Sequence, residues 1–478
     1  MMPARKADST MLLDIGGQSC RALAVDKTGW IQFESRQGVS GREDGLRVEQ
    51  DPDEIADAMT AVAMEILVEL EKRSMPIAQA ALAVQRGSIV CWDRTDGTAL
   101  SPVISWRDRR GLPGMEGLSA HADDIRARTG LRYSPYGGAS KIAWCLQELD
   151  KVKRARELNR LVCGPLGSFL LARLLAEHPV QVDDTLAQRT LLWSRESMEW
   201  DDWLLDRFGL SSGMLPKVTR SYAPHGHLYL AGSQVPLNLL MGDQNCVPFL
   251  DGTPDPDTLY INMGTGAFVL RPLREPIDDD RFQLTLLDRG HESRWALEGS
   301  VHGAASAITW LERLERCSIG PERMEGLRER VPNPPLFINS IDGLGSPWWQ
   351  PGPEPEFVGQ HERHDTDARL LAVVESIAFL IKACSDAMNE HVGAPTRIVV
   401  SGGLSRSDPM CTLIADLLDI ETVRLDCAEG TAMGLWCRLH DRSLPRQYFD
   451  HIAHRRDHAL ESRYRHWRDH IEASTKAQ

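Results

Sequence analysis

A chain of 478 residues, 42% apolar and 26% charged, is too long for one ordinary core and suits two large globular domains. Its formal charge of −14 argues against broad binding to nucleic acid or to an anionic membrane, because phosphate polyanions would be repelled. No apolar run approaches the roughly 18 residues that cross a bilayer. Asp14 breaks the apolar stretch behind the basic N-terminus, and the ten scattered cysteines include no C-x-x-C pair. The expected setting is therefore cytoplasmic, with reduced thiols and neither a disulfide framework nor a zinc site.

The first element is MLLDIGGQSCRALAVD, Met11 to Asp26, where two β-type runs flank Gly16 and Gly17 and predict a hairpin. A strand-like run follows at Trp30 to Ser35. Asp51-Pro52-Asp53-Glu54 is a helix start, and Ile55, Met59, Val62, Ile66 and Leu70 give the helix one buried stripe. Ala80 to Val84 and Ser88 to Trp92 read as strands, so the class is α/β. Turn formers and acids gather at Gly242 to Asp257, the expected domain boundary. Thr258 to Pro272 then repeats the strand, glycine turn, strand pattern, with Gly264 and Gly266 bracketing Thr265. Arg397 to Gly403 is a strand ending in paired glycines, ahead of a helix through Leu418. Two halves that each open on a glycine hairpin suggest a duplicated fold with a cleft. The expected domains are 1–250 and 251–440, with 441–478 a peripheral helix or solvated tail.

Glycine turns let backbone N–H groups approach an anion, so the first hairpin can cradle phosphate oxygens. Asp14 beside it suits holding Mg²⁺ through its water shell, or simply caps its own turn. Asp243, after the apolar run Val235 to Met241, is a candidate base at a strand end; the alternative is an acid that starts the linker turn. Arg86, Trp106 and Tyr136 could grip a polyol, the indole face on its C–H surface and the polar groups on its hydroxyls. The bland alternatives are core packing for Trp106 and Tyr136 and a surface ion pair for Arg86.

These segments together resemble the FGGY carbohydrate kinases, and within them the glycerol kinases. The resemblance runs from Asp14 to about Leu435 and is carried in family order by DIGGQSCRALAVD, VEQDP, QRGSIVCWD, SWRDRR, GLRYSPYGGASK, EWDDWLLDRFGL, MLPKV, GDQ, MGTG, ALEGS, GLGSPWW, ESIAF and SGGLSRSDPMCTLIADLLD. It implies two ribonuclease-H-like domains of the actin-like ATPase superfamily with an interdomain catalytic cleft, and ATP and Mg²⁺ as cofactors. By position, Asp14 resembles the metal-side carboxylate, and Asp243 the general base and a second metal-side group. Gly16, Gly17, Gln18, Ser19 and Arg21 match the first phosphate loop, and Gly264, Thr265 and Gly266 the second. Gly402 and Gly403 correspond to adenosine-binding glycines, with Asp408 near the adenine edge. Arg86, Gly87, Trp106, Tyr136, Asp243, Gln244 and Phe268 fall on glycerol-pocket positions.

The chain departs from glycerol kinases at several of these positions. Gly87 stands where they carry a Glu, which removes a hydrogen-bond acceptor and is expected to open space for a larger polyol. Gly17 and Gln18 replace two threonines, so a hydroxyl aimed at the γ-phosphate is missing. Gln350 replaces an Asp, and Leu186 an Asn. The implied activity is ATP-dependent phosphorylation of a primary hydroxyl on a small polyol or sugar. The alternative is a catalytically impaired pseudokinase that binds sugar or nucleotide in a regulatory role. The implied partners are the polyol or sugar and ATP/ADP, with no nucleic acid and no membrane, and a homodimer is left open.

Overall fold

Seven consecutive buried residues, Ser9–Ile15, form strand β1. Such an unbroken buried run belongs to a central strand covered on both faces. In the computed structural model, which describes residues 9–359 and 365–476, β1 pairs antiparallel with β2 (Ser19–Asp26), the predicted glycine hairpin. The run expected from Trp30 is β3, Ile31–Gly38, and helix α1 spans Pro52–Lys72. Asp51 caps α1 by accepting from the Asp53 and Glu54 amides at 2.9 and 3.4 Å, with Pro52 at the first helical position. The predicted stripe from Ile55 to Leu70 is buried, and α1 packs on β2 and β3.

Further along the chain are strands β4 (Ile77–Val84) and β5 (Ile89–Asp93), helix α2 (Gly138–Glu148) and strand β6 (Leu161–Pro165). A short helix α3 (Asp184–Gln188) precedes strands β7 (Tyr222–Leu230) and β8 (Ser233–Gly242). The main sheet has the order β7-β8-β4-β1-β2-β3, and its middle strands β8, β4 and β1 are parallel. Asp14 and Met241 both pair with Ala83, so these three strands end level with one another. The stretch after Gly242 does not begin as a linker loop. Asp243–Cys246 is a helical turn (α4), Val247–Phe249 continues it as a 3-10 turn, and Asn245 through Leu250 are buried. The apolar Cys246, Val247, Phe249 and Leu250 hold it against the core.

The chain divides into two units. One comprises the chain up to Thr253 with Thr285–Trp295 and Thr431–Pro445; the other comprises Pro254–Leu284, Ala296–Gly430 and Arg446–Gln478. The second sheet contains β9 (Thr258–Met263), β10 (Ala267–Leu273), β11 (Gln283–Arg289) and β12 (Ser293–Val301). Helices α5 (Ala305–Glu315) and α6 (Thr366–Val392) follow, then β13 (Arg397–Ser401), α7 (Asp408–Leu418), β14 (Glu421–Leu425) and β15 (Phe449–Ile452). The sheet order is β11-β12-β10-β9-β13-β14-β15. β9 and β10 form the second glycine hairpin, and β9 lies parallel to β13.

The C-terminal stretch is more than a solvated tail. His458–Lys476 is a helix whose Leu460, Tyr464, Trp467 and Ile471 are buried at helical spacing, with arginines and histidines on the remaining faces. Trp467 donates to the Phe337 carbonyl at 2.9 Å, and Arg463 reaches buried Glu375 at 2.5 Å. High polar content hid this stripe, because four apolar positions suffice for a one-sided helix.

Candidate active site

Three carboxyl-terminal strand ends in the first unit gather the predicted polar residues. Strands β1, β4 and β8 stop together, and the residues there or just beyond are Asp14, Gln85-Arg86 and Asp243. Adjacent strands lie about 4.8 Å apart, so Asp14 and Asp243 are two strand spacings from each other. Ends of this kind are where parallel sheets place ligands. Asp14 is buried and pairs with Arg21, its cross-strand neighbour, at 3.7 Å. Buried Cys246 registers both acids. Its thiol pKa is pushed well up by burial, then by the charges of Asp243, Asp14 and Asp183.

Arg86 is buried, not a surface ion-pair residue, and its Nε lies 3.7 Å from the Asp243 carboxylate. Its guanidinium also donates to Asn245 Oδ1 at 3.3 Å, while Asn245 donates to the Leu286 carbonyl at 2.6 Å. Behind Asp243 the backbone is held by Thr185, whose hydroxyl accepts from the Gly242 amide at 2.9 Å and donates to Asp183 at 2.6 Å. Asp183 takes a further bond from Ser221 at 2.8 Å, and Asp183, Thr185 and Ser221 are all buried. Gln244 uses its own amide to hold Asp243 Oδ1 at 2.8 Å.

Gly16 is half-buried, and Gly17 and Gln18 are exposed in the first hairpin turn ahead of buried Ser19. The Gly17 carbonyl accepts from Gln50 at 3.1 Å, and Gln50 accepts from Gln85 at 2.9 Å. Gln85 Oε1 is buried without a partner among the described residues, 4.0 Å from where a Cβ on Gly17 would sit.

Trp106 and Tyr136 are 40% and 45% exposed, which rules out core packing for both rings. At Gly87 an added Cβ would meet the Tyr136 carbonyl oxygen at 3.4 Å and Trp106 Cβ at 3.5 Å, both ordinary van der Waals contacts. Its φ of +75° is a left-handed conformation that side-chain-bearing residues rarely adopt. Buried Lys141 sits behind these segments and donates to the carbonyls of Gly87, Tyr136 and Trp106 at 2.8, 3.0 and 3.4 Å. Burial brings its pKa down to about 7, against an opposing pull from the Asp108 charge.

In the second unit, Gly264 and Thr265 are exposed at the β9–β10 turn and Phe268 is half-buried on β10. The Gly264 and Thr265 carbonyls accept from the Ala305 and Ser306 amides at 3.2 and 3.0 Å, which seats the turn on the start of α5. A Cβ on Gly266 would lie 2.7 Å from the Val301 carbonyl oxygen. Gly402, at φ +91°, leaves no room for a Cβ beside Met263 of β9, and Gly403 is unobstructed. Asp408 is exposed at the start of α7 and pairs with Arg424.

Comparison with known proteins decides the family. Residues 10–255 match the N-terminal domain of the FGGY family of carbohydrate kinases, and residues 259–437 match its C-terminal domain. The chain belongs to the FGGY family of carbohydrate kinases. It is 31% identical to a glycerol kinase of Citrifermentans bemidjiense over 398 residues, covering 81% of this chain and 80% of that one. A glycerol kinase of Enterococcus casseliflavus is 28% identical, covering 89% of this chain and 86% of that one. The structure resembles Plasmodium falciparum glycerol kinase with ADP at a TM-score of 0.87 and 21% identity, covering 98% of both chains. It also resembles a xylulose kinase from Rhodospirillum rubrum at a TM-score of 0.83 and 18% identity, covering 97% of this chain and 98% of that one. The two-domain α/β architecture is that of the FGGY fold.

Sequence reading missed the residues of this FGGY chain that act on the site from behind. Gly242, Thr185, Asp183, Asn245 and Lys141 sit in short motifs of mixed character, and nothing in their spacing points to Arg86 or Asp243. The G-D-Q run was the available signal for Gly242. Among the described residues, no helix is long and apolar enough to cross a membrane. No group of three or more His, Cys, Asp and Glu side chains there could hold a metal ion.

Proposed function

We propose that the chain transfers the γ-phosphoryl group of ATP to a primary hydroxyl of a small polyol or ketose. The observation that carries this reading is the Arg86–Asp243 pair at 3.7 Å, on neighbouring strand ends, with Asp14 two strands away. The Asp243 carboxylate accepts the hydroxyl proton as the oxygen–phosphorus bond forms and the bond to the ADP oxygen breaks. Arg86 fixes the direction of that carboxylate and hydrogen-bonds the acceptor. Trp106 and Tyr136 offer their rings to its C–H face, with Gly87, Gln244 and Phe268 completing the set of acceptor contacts.

Gly16, Gly17, Gln18, Ser19 and Arg21 serve one phosphate-binding turn, and Gly264, Thr265 and Gly266 the other, with backbone N–H groups as the main donors. Gly402, Gly403 and Asp408 take the adenosine end. Asp14 and Asp243 would hold Mg²⁺, which supplies charge neutralisation for the phosphates. Asp14 and Asp243 lie at the ends of strands two spacings apart and offer the carboxylate oxygens that Mg²⁺ takes alongside its waters.

Glycerol is a natural first substrate to try, given the relatives, yet Gly87 removes the carboxylate their pocket carries. The test is ADP release across glycerol, erythritol, ribitol, xylulose and ribulose. Turnover of at least one, falling about a thousandfold in Asp243→Ala, is the expected result. An Asp243→Ala enzyme within a few-fold of wild type would remove Asp243 as the base. Binding of a polyol or ATP without any ADP release would favour the pseudokinase reading.

A further inference from the structure

We infer that Lys141 is a positioning residue for the acceptor pocket, because its ammonium ties together the three backbone segments that carry Arg86–Gly87, Trp106 and Tyr136. The inference rests on the phosphoryl-transfer reading above, which gives those segments their substrate contacts.

An ammonium has three donors and no acceptor. Lys141 Nζ lies at hydrogen-bond distance from three carbonyls on three separate segments: Gly87 at 2.8 Å, Tyr136 at 3.0 Å and Trp106 at 3.4 Å. Each donor has one acceptor, and the side chain is 0% exposed. Full burial of a lysine is rare unless its charge is compensated. The acid whose charge acts on it, Asp108, is itself engaged by Arg110 at 2.7 Å and by the Val48 amide at 2.6 Å. The carbonyl trio is therefore the main direct partner, so the lysine is placed to organise backbone and not to answer one carboxylate.

The consequence is visible at Gly87. The Tyr136 carbonyl and the Trp106 Cβ are drawn to within 3.4 and 3.5 Å of the position a Cβ would take there. Trp106 is steadied a second time, its amide donating to buried Ser88 at 3.0 Å. With Lys141 removed, three carbonyls lose a shared donor, and the rings of Trp106 and Tyr136 lose their fixed separation from Arg86. Neither of the two phosphate-binding glycine turns is among the hydrogen-bond partners of the lysine, which are Gly87, Trp106 and Tyr136. Acceptor affinity should respond while ATP affinity does not. A lysine that merely supports the core would move both, or only the melting point.

The experiment is steady-state kinetics of the full chain with Lys141→Met, which keeps the stem length, and Lys141→Gln, which keeps two donors. The best polyol of the panel and ATP are varied in turn. The expected result is a polyol KM raised about tenfold in K141M and about threefold in K141Q, with the ATP KM within twofold of wild type. Should K141M fail to fold, K141Q decides by the same criterion. A polyol KM within twofold of wild type in the folded variants, or equal rises for polyol and ATP, overturns the inference and leaves the kinase reading intact. A wild type that releases ADP with no polyol overturns both.

Discussion

Gly242 and Arg86 share one volume: a Cβ on the glycine would lie 2.7 Å from both Cγ and Cδ of the arginine. The backbone of Gly242 is an ordinary extended one (φ −66°, ψ 141°), so conformation does not demand a glycine there. Close approach does. The arginine stem crosses directly over the residue that precedes Asp243, and this brings its guanidinium to the carboxylate. Gly242→Ala should push Arg86 off Asp243 and lower kcat/KM for the acceptor at least tenfold, with ATP KM little changed. A stability loss of about 1–3 kcal/mol from overpacking should accompany it. Wild-type kcat/KM in a folded G242A protein would show that the Arg86–Asp243 geometry is dispensable.

At Gly87, introducing the glutamate that the resemblance to glycerol kinases implies there is expected to harm the protein. The left-handed φ of +75° costs a side-chain-bearing residue roughly 1–2 kcal/mol, and the new Cβ would contact Tyr136 and Trp106. Gly87→Glu and Gly87→Ala should lose similar stability in chemical denaturation, because the strain belongs to the backbone. G87E should not gain glycerol turnover over wild type. A G87E enzyme that melts like wild type and prefers glycerol would mean that the segment relaxes to accept the carboxylate.

Asp183 and Asp184 predict an unusual pH dependence. Burial pushes them up to about 6 and about 7; Asp183 adds to the rise at Asp184, while Arg289, 3.3 Å away, opposes it. An unfolded aspartate has a pKa of about 3.9, so across roughly pH 4 to 7 the folded chain binds protons that the unfolded chain has released. The contribution of the pair to stability is complete below that window and is lost as pH rises through it. The difference in urea midpoint between wild type and Asp184→Asn should therefore shift against wild type from pH 5 to pH 8. A difference that stays constant over that range would mean Asp184 is ionised throughout in the fold.

Legibility in the sequence followed the length of the pattern. The β1–β2 and β9–β10 hairpins, the α1 stripe and the β13 strand were readable because period and glycine placement act over seven or more residues. Asp14 and Asp243 were readable because each lies at or just past the end of a strand-like apolar run. What stayed hidden were relationships across the chain: Arg86 over Gly242, 156 positions later in number, or Lys141 beneath Gly87, Trp106 and Tyr136. These depend on which strands become neighbours, and a β4–β8 pairing leaves no local mark. The same reason explains Gly87. Its missing carboxylate is legible, while its left-handed backbone and the carbonyl packed against it arise only once α2 and its lysine have docked.

The C-terminal helix provides a stability test away from the catalytic residues. Arg463 donates to Glu375 at 2.9 and 2.5 Å and to the Pro334 and Pro335 carbonyls, both at 2.9 Å. Burial pushes the Glu375 pKa up, and Arg463 is the leading influence holding it down. Removing the arginine leaves a buried carboxylate without its main cation, at a cost of about 3 kcal/mol or more. Arg463→Met should therefore destabilise the second unit strongly. Adding Glu375→Gln should recover part of the loss, since a neutral amide needs no counter-charge. The check is a double-mutant cycle in chemical denaturation, reading the transition of the full chain. Additive losses, with no recovery in the double variant, would mean that Arg463 anchors the helix through the two proline carbonyls and not through Glu375.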